Sequence, residues 1–334
     1  MVSSIGGNVL VISDWNKDLK AYSIPKDIIS SIETFTGTKG FKFVDETYEK
    51  NKVTCYFGNI PNQGLLSEFK NLKWVHFGSI GIDKLSHEFI SKNSLTVTNG
   101  AKTNNSGVTT YCIGELFRSC KSGFISRVCN DEKELNRNHY DKFYDFMIDY
   151  TDINLCILGY GDIGKELTKI LSPIVNKINV VTRTKRNKYE NVDFYEINKI
   201  QDATKDITHI INVLPLHEET KGIINNKLFQ DLDNAYYICA GRAETHVNKD
   251  VLDALDNKFL RGASLDVYGL PNGEIQQDFI DNKQIHLSPH ISGWTKNFWP
   301  NQSEIILYNI NMYKENNFNK MKNLVYCEGS KLNE

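Results

Sequence analysis

Three glycines, Gly159, Gly161 and Gly164, have the spacing G-x-G-x-x-G directly after the apolar run 154–158. In a strand-turn-helix unit the first glycine allows a tight turn and the second lets the backbone approach a pyrophosphate. The third lets the helix pack closely on the strand. Backbone N–H groups at the helix start then meet the phosphates. The alternative is a glycine-rich turn without a ligand; the flanking strand and helix patterns favour a dinucleotide site.

The end of the next strand bears on which dinucleotide binds. Roughly 20 residues beyond such a motif, an Asp or Glu usually binds the ribose 2′-hydroxyl of NAD. Here the stretch 182–186 is Thr-Arg-Thr-Lys-Arg, and no acidic residue occurs between Glu166 and Glu190. Arginine can bind a 2′-phosphate with two N–H groups at once. We expect NADP(H) as the preferred cofactor and NAD(H) as the second candidate; a solvated basic loop is the alternative and leaves the preference open.

The first hundred residues supply one set of elements. They alternate β-rich runs with helical patterns, which is typical of βα units on a parallel sheet. The β-rich runs are 9–12, 53–57, 74–77 and 95–98, and the helical patterns are 27–35 and 65–69.

A second series of βα units follows the polar, aromatic stretch around 130–149. Six predicted strands with helical segments between most of them describe a doubly wound sheet. The strands are 154–158, 178–181, 207–213, 235–240, 262–267 and 285–288. We expect the helical segment 108–119 to link the two domains and the segment 299–318 to return to the first.

Composition limits the class of protein. At 334 residues, the chain exceeds the ~250 residues at which single cores stop growing, so two domains are expected. The formal net charge of −2 gives no field for gathering nucleic acid or an anionic membrane. Seven cysteines without a C-x-x-C pair predict neither a disulfide framework nor a metal site. No apolar run approaches the ~20 residues that span a bilayer, and we expect a cytoplasmic protein.

Five further segments resemble D-isomer-specific 2-hydroxyacid dehydrogenases, in the same order and at nearly the same spacings. They are 74–83 (WVHFGSIGID), 211–224 (INVLPLHEETKGII), 238–252 (beginning ICAGR), 262–268 (GASLDVY) and 288–293 (SPHISG). The resemblance covers most of the chain. It implies an oxidoreductase that transfers a hydride between NADP(H) and a small 2-oxo acid or (R)-2-hydroxy acid.

The resemblance also implies roles for individual residues. Arg242 would orient the substrate, since one planar charged group can bind a carboxylate and a carbonyl oxygen together. His290 would give a proton to the carbonyl oxygen during reduction and take one back in the reverse reaction. The substrate carboxylate would contact the backbone amides of Gly78, Ser79, Ile80 and Gly81.

The matched segments and the glycine motif together give the residues expected to bind the cofactor. They are Gly159, Tyr160, Gly161, Asp162, Ile163, Gly164, Thr182, Arg183, Thr184, Val213, Leu214, Pro215, Thr220, Ala240, Gly241, Asp266 and Gly293.

The predicted fold class is α/β, with two Rossmann-like domains of doubly wound parallel sheets, the second inserted into the first. Residues 1–100 and 297–334 would form a flavodoxin-like substrate domain, and residues 101–296 the NAD(P)-binding domain. The resemblance implies substrate binding in the cleft between them, with His76 and His217 as candidate lining residues. It also implies a homodimer, for which the aromatic-rich stretch 138–150 would suit the interface.

One departure from the family bears on activity. The family glutamate that pairs with the catalytic histidine is replaced by Pro271, with Glu274 three residues beyond it. Without a carboxylate partner the pKa of His290 should fall, so we expect reduced activity or an acid-shifted pH profile unless Glu274 or a substrate group substitutes. A nicotinamide-binding regulatory or catalytically impaired homologue is therefore the alternative, and a sugar acid is an alternative substrate. Three further residues, Thr110, Cys239 and Ala243, differ from those usual at these positions in the family.

Overall fold

A computed structural model describes residues 9–15, 23–37, 40–58, 63–82, 85–121, 144, 147–184, 186–268 and 277–332. The packing of the chain divides it into two compact units, Met1–Asn104 with Trp294–Glu334, and Asn105–Gly293. The sequence-based boundaries of 100/101 and 296/297 lie a few residues from these divisions.

The strands and helices of the described residues are numbered in chain order. The strands are β1 Leu10–Ser13, β2 Phe41–Phe43, β3 Val53–Gly58, β4 Trp74–Phe77, β5 Thr96–Thr98, β6 Asn154–Leu158, β7 Lys177–Thr182, β8 Val192–Glu196, β9 His209–Asn212, β10 Ala235–Cys239, β11 Leu260–Leu265, β12 Ile285–Leu287, β13 Leu324–Cys327 and β14 Ser330–Lys331. The helices are α1 Lys26–Thr36, α2 Gln63–Leu66, α3 His87–Lys92, α4 Asn105–Cys120, α5 Asp162–Leu171, α6 Ile200–Ala203, α7 Asn226–Phe229, α8 Asn248–Asp256, α9 Gln277–Asp281 and α10 Phe298–Lys314.

The first unit contains a seven-stranded sheet within the described residues, in the order β14-β13-β5-β4-β3-β1-β2. Strands β1 to β5 pair in parallel. All four residues of β4 are buried, as expected for a strand covered on both faces. One apolar cluster lies on the side of α1 and α10, and a second lies on the opposite side of the sheet.

The second unit contains another seven-stranded sheet in the described residues, in the order β12-β11-β10-β9-β6-β7-β8. All of its pairings are parallel, and apolar clusters cover both faces. Strand β6 lies inside the sheet and β12 at its edge. The carboxyl ends of β6, β10, β11 and β12 therefore share one edge, where α/β proteins of this type bind ligands.

The two-domain α/β fold expected from sequence is confirmed, with strand β4 and strand β6 at the predicted residues. The parallel-only expectation was incomplete, because β13 pairs antiparallel with β5 and with β14. A two-residue loop joins β13 to β14, and its residues Glu328 and Gly329 both have positive φ, as a tight hairpin requires. Strands β2, β8, β13 and β14 were not predicted.

The aromatic stretch 138–150 lies largely outside the described residues. Of its aromatic residues, Tyr144 and Tyr150 are described, and both are exposed. Pro271 and Glu274 lie outside the described residues as well. No helix in the described part of the chain has the length and apolar character needed to cross a membrane.

Candidate dinucleotide and substrate site

The turn after β6 requires two of its three glycines for steric reasons. Gly159 has φ +106°, and a Cβ there would lie 3.1 Å from the carbonyl oxygen of Val213. A Cβ on Gly164 would clash with the carbonyl oxygen of Gly159. These two glycines therefore allow the tight turn and the close packing of α5 on β6.

Gly161 has no such steric requirement from the described chain. Its φ is −74°, and a Cβ built on it would meet nothing within 4 Å. Gly161 is the N-cap of α5, and no side chain of the described residues caps this helix. The space beside Gly161 at the start of α5 is thus open and no described side chain caps the helix, which fits a diphosphate bound at a helix N-terminus.

The basic segment after β7 lies next to the glycine turn. Thr182 is buried, whereas Arg183 and Thr184 are exposed. The guanidinium carbon of Arg186 lies 4.9 Å from the centre of the Tyr160 ring, a distance typical of a cation–π contact. The Tyr160 and Phe194 rings pack at nearly right angles, with 4.9 Å between the ring centres. Tyr160 thus joins the glycine turn to the basic segment; Lys185 lies outside the described residues.

The segments after β9 and β10 approach each other closely. A Cβ on Gly241 would lie 2.6 Å from the carbonyl oxygen of Leu214. The Leu214 amide donates to Oδ1 of Asn212 at 3.1 Å. Asn212 is buried and donates through Nδ2 to the hydroxyl of Thr245 at 2.8 Å. Asn212 was missed by the sequence analysis, although a polar residue at the end of an apolar strand was a signal for it.

Thr220 closes the loop that follows Pro215. Its hydroxyl donates to the Pro215 carbonyl at 2.7 Å and accepts from the amide of His217 at 2.8 Å. Thr220 is buried, while the His217 side chain is exposed. The bonds fix the shape of the loop that includes the predicted cofactor residues 213–215.

Arg242 and His290 follow two strands, β10 and β12, that lie on either side of β11 and end at the shared edge of the sheet. Arg242 follows β10 in an extended conformation, is half-buried, and donates to the Gly241 carbonyl at 3.0 Å. His290 follows β12 with φ +54°, a conformation that non-glycine residues rarely adopt. Partial desolvation lowers the pKa of His290 below its ordinary value, the negative charge of Asp266 opposes this shift, and the positive charge of Arg242 adds to it.

Asp266 holds the His290 loop in place. The side chain is 1% exposed, and its carboxylate accepts from the Ser288 hydroxyl at 2.6 Å and from the amides of Ile291 and Ser292 at 2.9 and 3.0 Å. The Asp266 carbonyl also accepts from the His290 amide at 3.0 Å. The cofactor contact expected of Asp266 stays a prediction; these bonds give its carboxylate a structural role that the sequence analysis missed.

The predicted carboxylate-binding loop 78–81 follows β4 in the first unit. The Gly78 amide donates to the Gly58 carbonyl at 3.0 Å. The amides of the next three residues have no hydrogen-bond acceptor among the described residues. His76 does not line this surface, because its side chain is fully buried.

Comparison with known proteins gives a family match and matching folds. The family model for the D-isomer specific 2-hydroxyacid dehydrogenase, NAD binding domain, matches residues 124–292. A glyoxylate/hydroxypyruvate reductase A from Enterobacter sp. (strain 638) is 27% identical over 161 residues, 48% of this chain and 51% of that protein. The match spans about half the length of the curated relatives.

Two solved structures share the fold over nearly the whole chain. A D-isomer specific 2-hydroxyacid dehydrogenase family protein from Klebsiella pneumoniae 342 has a TM-score of 0.77 at 20% identity, covering 96% of this chain and 97% of that one. An NADPH-dependent glyoxylate/hydroxypyruvate reductase from Sinorhizobium meliloti, in complex with NADP and sulfate, has a TM-score of 0.74 at 19% identity, covering 95% and 98%.

Proposed function

Because the chain belongs to the D-isomer specific 2-hydroxyacid dehydrogenase family, we propose that it reduces a small 2-oxo acid to the (R)-2-hydroxy acid with NADPH. The observation that carries this proposal is that Arg242 and His290 follow β10 and β12, strands that end at the same edge of the sheet as the glycine turn after β6. A permanent cation beside a titratable imidazole can bind an anionic carbonyl compound and exchange a proton with it.

Arg242 and His290 have separate tasks in the proposed mechanism. The guanidinium of Arg242 binds the substrate carboxylate and carbonyl oxygen, so the carbonyl carbon has a fixed orientation. The nicotinamide, when bound, supplies the hydride. His290 in its imidazolium form donates a proton to the carbonyl oxygen and becomes neutral. In the reverse direction, neutral His290 removes the hydroxyl proton.

The amides of Ser79, Ile80 and Gly81 would bind the substrate carboxylate in this proposal, whereas the Gly78 amide, also expected from the sequence, donates to the Gly58 carbonyl. Three successive backbone N–H groups without an acceptor in the described chain are suited to an anion. We also propose that NADP(H) is preferred, because the segment 182–186 has hydroxyl and guanidinium groups and lacks the carboxylate that NAD enzymes use for the 2′-hydroxyl. A homodimer is the proposed assembly, and light scattering of the purified protein would measure it.

The test is an initial-rate screen with NADPH and NADH. Glyoxylate, hydroxypyruvate, pyruvate and phenylpyruvate are the substrates for the wild type, Arg242→Ala and His290→Ala. Loss of general acid catalysis lowers kcat by roughly 10²–10⁴-fold. We therefore expect the kcat of His290→Ala to be at least about 10²-fold below that of the wild type. His87→Ala is the control, because His87 is exposed in the first unit. Wild-type rates in both Arg242→Ala and His290→Ala would refute the assignment.

Pro271 favours a second candidate function, a nicotinamide-binding regulator with little turnover. A regulator would bind the cofactor at the same site as the reductase but would not transfer a hydride to a 2-oxo acid. Calorimetric binding of NADPH without reduction of any 2-oxo acid would support the regulator. Turnover that depends on His290 would support the reductase.

A further inference from the structure

We propose that Gln302 and His76 form a buried chain of hydrogen bonds that fixes loop 78–81 in the conformation that binds the substrate carboxylate. Both are positioning residues, since neither presents a polar group to the substrate. The inference rests on the proposed function and adds to it the groups that hold the anion-binding amides in place.

The chain of hydrogen bonds joins α10 to the end of β4. Gln302 and His76 are both completely buried. Nε2 of His76 lies 3.0 Å from Oε1 of Gln302. Nε2 of Gln302 donates to the Gly78 carbonyl at 2.6 Å and to the Thr103 hydroxyl at 3.1 Å.

One arrangement of protons satisfies these bonds. Because the Gln302 amide nitrogen already donates twice, Oε1 must accept, so His76 carries its proton on Nε2. Nδ1 of His76 then accepts from the Thr98 hydroxyl at 2.8 Å, and that hydroxyl accepts from the indole N–H of Trp74 at 2.8 Å. Burial lowers the pKa of His76 to about 4, so the ring stays neutral at physiological pH.

Each of the four carbonyl groups of loop 78–81 accepts a hydrogen bond, and the Gly78 carbonyl accepts its bond from Gln302. The Ser79 carbonyl accepts from the Gly100 amide at 2.9 Å. The Ile80 carbonyl accepts from Nδ2 of Asn99 at 2.7 Å, and the Gly81 carbonyl accepts from the Ser79 hydroxyl at 2.9 Å. With the carbonyls bound inside the unit, the N–H groups of residues 79–81 are left for a ligand, as in other backbone anion sites.

Gly100 makes the contact sterically feasible. A Cβ at this position would clash with the Gly78 carbonyl oxygen and lie 2.5 Å from Nε2 of Gln302. The φ of Gly100 is not in the left-handed region, so the requirement comes from the close approach of Gln302 and Gly78. A side chain at position 100 would therefore displace either the Gly78 carbonyl or the Gln302 amide, and the hydrogen bond between them depends on Gly100.

Gln302→Met tests the inference because it keeps the volume and removes the donor. A buried carbonyl left without its donor costs about 1–3 kcal/mol, roughly 5- to 150-fold, and part of this penalty is relieved when the loop changes conformation. We expect KM for the 2-oxo acid to rise about tenfold, with kcat and the KM for NADPH unchanged. Asn309→Leu is the matched control, since Asn309 is equally buried on α10 and its amide bonds the backbone of Lys322.

Gln302→Glu gives a readout that a general loss of packing would not produce. A carboxylate at 302 can accept from His76 but can donate to Gly78 only when it is protonated. The KM of this variant should therefore fall towards the wild-type value as the pH is lowered. Of the groups that bond Gln302, Gly78 and Thr103 do not titrate and His76 does, so the pH dependence belongs to the coupled pair that residue 302 forms with His76. A parallel pH dependence in Asn309→Asp would overturn the inference.

Amide hydrogen exchange separates this inference from the proposed function. Faster exchange of the Gly100 amide, which donates to the Ser79 carbonyl, in Gln302→Met than in Asn309→Leu would support the hydrogen-bond chain, with or without turnover. Equal exchange in the two variants, or an unchanged KM for a 2-oxo acid that the wild type reduces, would overturn it. A wild type that reduces no 2-oxo acid refutes the proposed function alone.

Discussion

The Asp266 carboxylate accepts a 2.6 Å hydrogen bond from the hydroxyl of Ser288, which ties the end of β11 to the loop that follows β12. His290 lies two residues beyond Ser288 with a positive φ. A non-glycine residue in that conformation is stable only where its surroundings enforce it. The buried carboxylate of Asp266 therefore sets both the position and the charge environment of His290.

The pH profile of reduction tests this relationship. The pKa of His290 lies below its ordinary value of 6.5, and reduction needs the protonated ring. We therefore expect kcat/KM for reduction to fall as the pH rises through that lowered pKa. Asp266→Asn removes the negative charge that raises the pKa of His290, so its profile should shift to lower pH. Ser288→Ala keeps the carboxylate and serves as the control; identical profiles for wild type and Asp266→Asn would contradict the account.

Gly161→Ala tests whether glycine at this position is needed for cofactor binding or for the fold. The added methyl meets no atom of the described chain within 4 Å, so the melting temperature should fall only by the small preference for glycine over alanine at an N-cap. It occupies the space in which a diphosphate would contact the amides, and hydrogen bonds to charged groups contribute ~1.5–3 kcal/mol. We expect the Kd of NADPH, measured by calorimetry, to rise by about tenfold or more.

Gly114→Ala is the matched control for Gly161→Ala. Gly114 lies inside α4, and a Cβ there also meets nothing within 4 Å. Alanine at this position should stabilise the helix by about 0.5–1 kcal/mol without a change in NADPH affinity. If Gly161→Ala binds NADPH as well as Gly114→Ala does, the diphosphate is not bound at this turn.

Arg183→Ala tests the proposed cofactor preference. Removal of a guanidinium that binds a 2′-phosphate should raise the KM for NADPH by roughly 10- to 100-fold and leave the KM for NADH unchanged. Lys188→Ala is the control, because the Lys188 ammonium pairs with Asp193 at 3.0 Å. An equal rise for both cofactors would indicate that Arg183 does not distinguish them.

Glu115 gives the second unit a stability that depends on pH. Burial alone would raise the pKa of this carboxyl, but hydrogen bonds from His286, Arg118 and Ser264 lower it to about 2. A depressed folded-state pKa contributes stability above the unfolded value near 4.5, and this contribution is lost as the pH falls towards 2. Glu115→Gln should lower the free energy of unfolding at pH 7 by about 2–3 kcal/mol.

Urea denaturation at several pH values measures this effect. The difference between wild type and Glu115→Gln should shrink as the pH falls from 5 towards 3. Glu166→Gln, at a half-buried position of α5, is the control: it also removes one carboxylate, and Glu166 has no such network among the described residues. A difference of equal size at pH 7 and pH 3 would exclude the carboxylate as its source.

The sequence by itself determined the class of fold, the position of the glycine turn and the family. These features depend on local patterns: apolar runs that must be buried give β4 and β6 at their predicted residues, and the G-x-G-x-x-G spacing has one common structural context. The missed strands are short or lie at edges. Strand β8 has one buried residue among five, so its apolar pattern was too weak to read.

The tertiary structure alone decided which side chains act together. Gln302 and His76 are separated by 226 positions in the chain, and no local pattern specifies the bond between them. Asp266 illustrates the same limit: its position in a matched segment was visible, but its bonds to Ser288, Ile291 and Ser292 exist only because β11 and β12 pair side by side. Hydrogen bonds are short-ranged and directional. Local sequence patterns predict each helix or strand separately, whereas the hydrogen-bond partners depend on how those elements pack together.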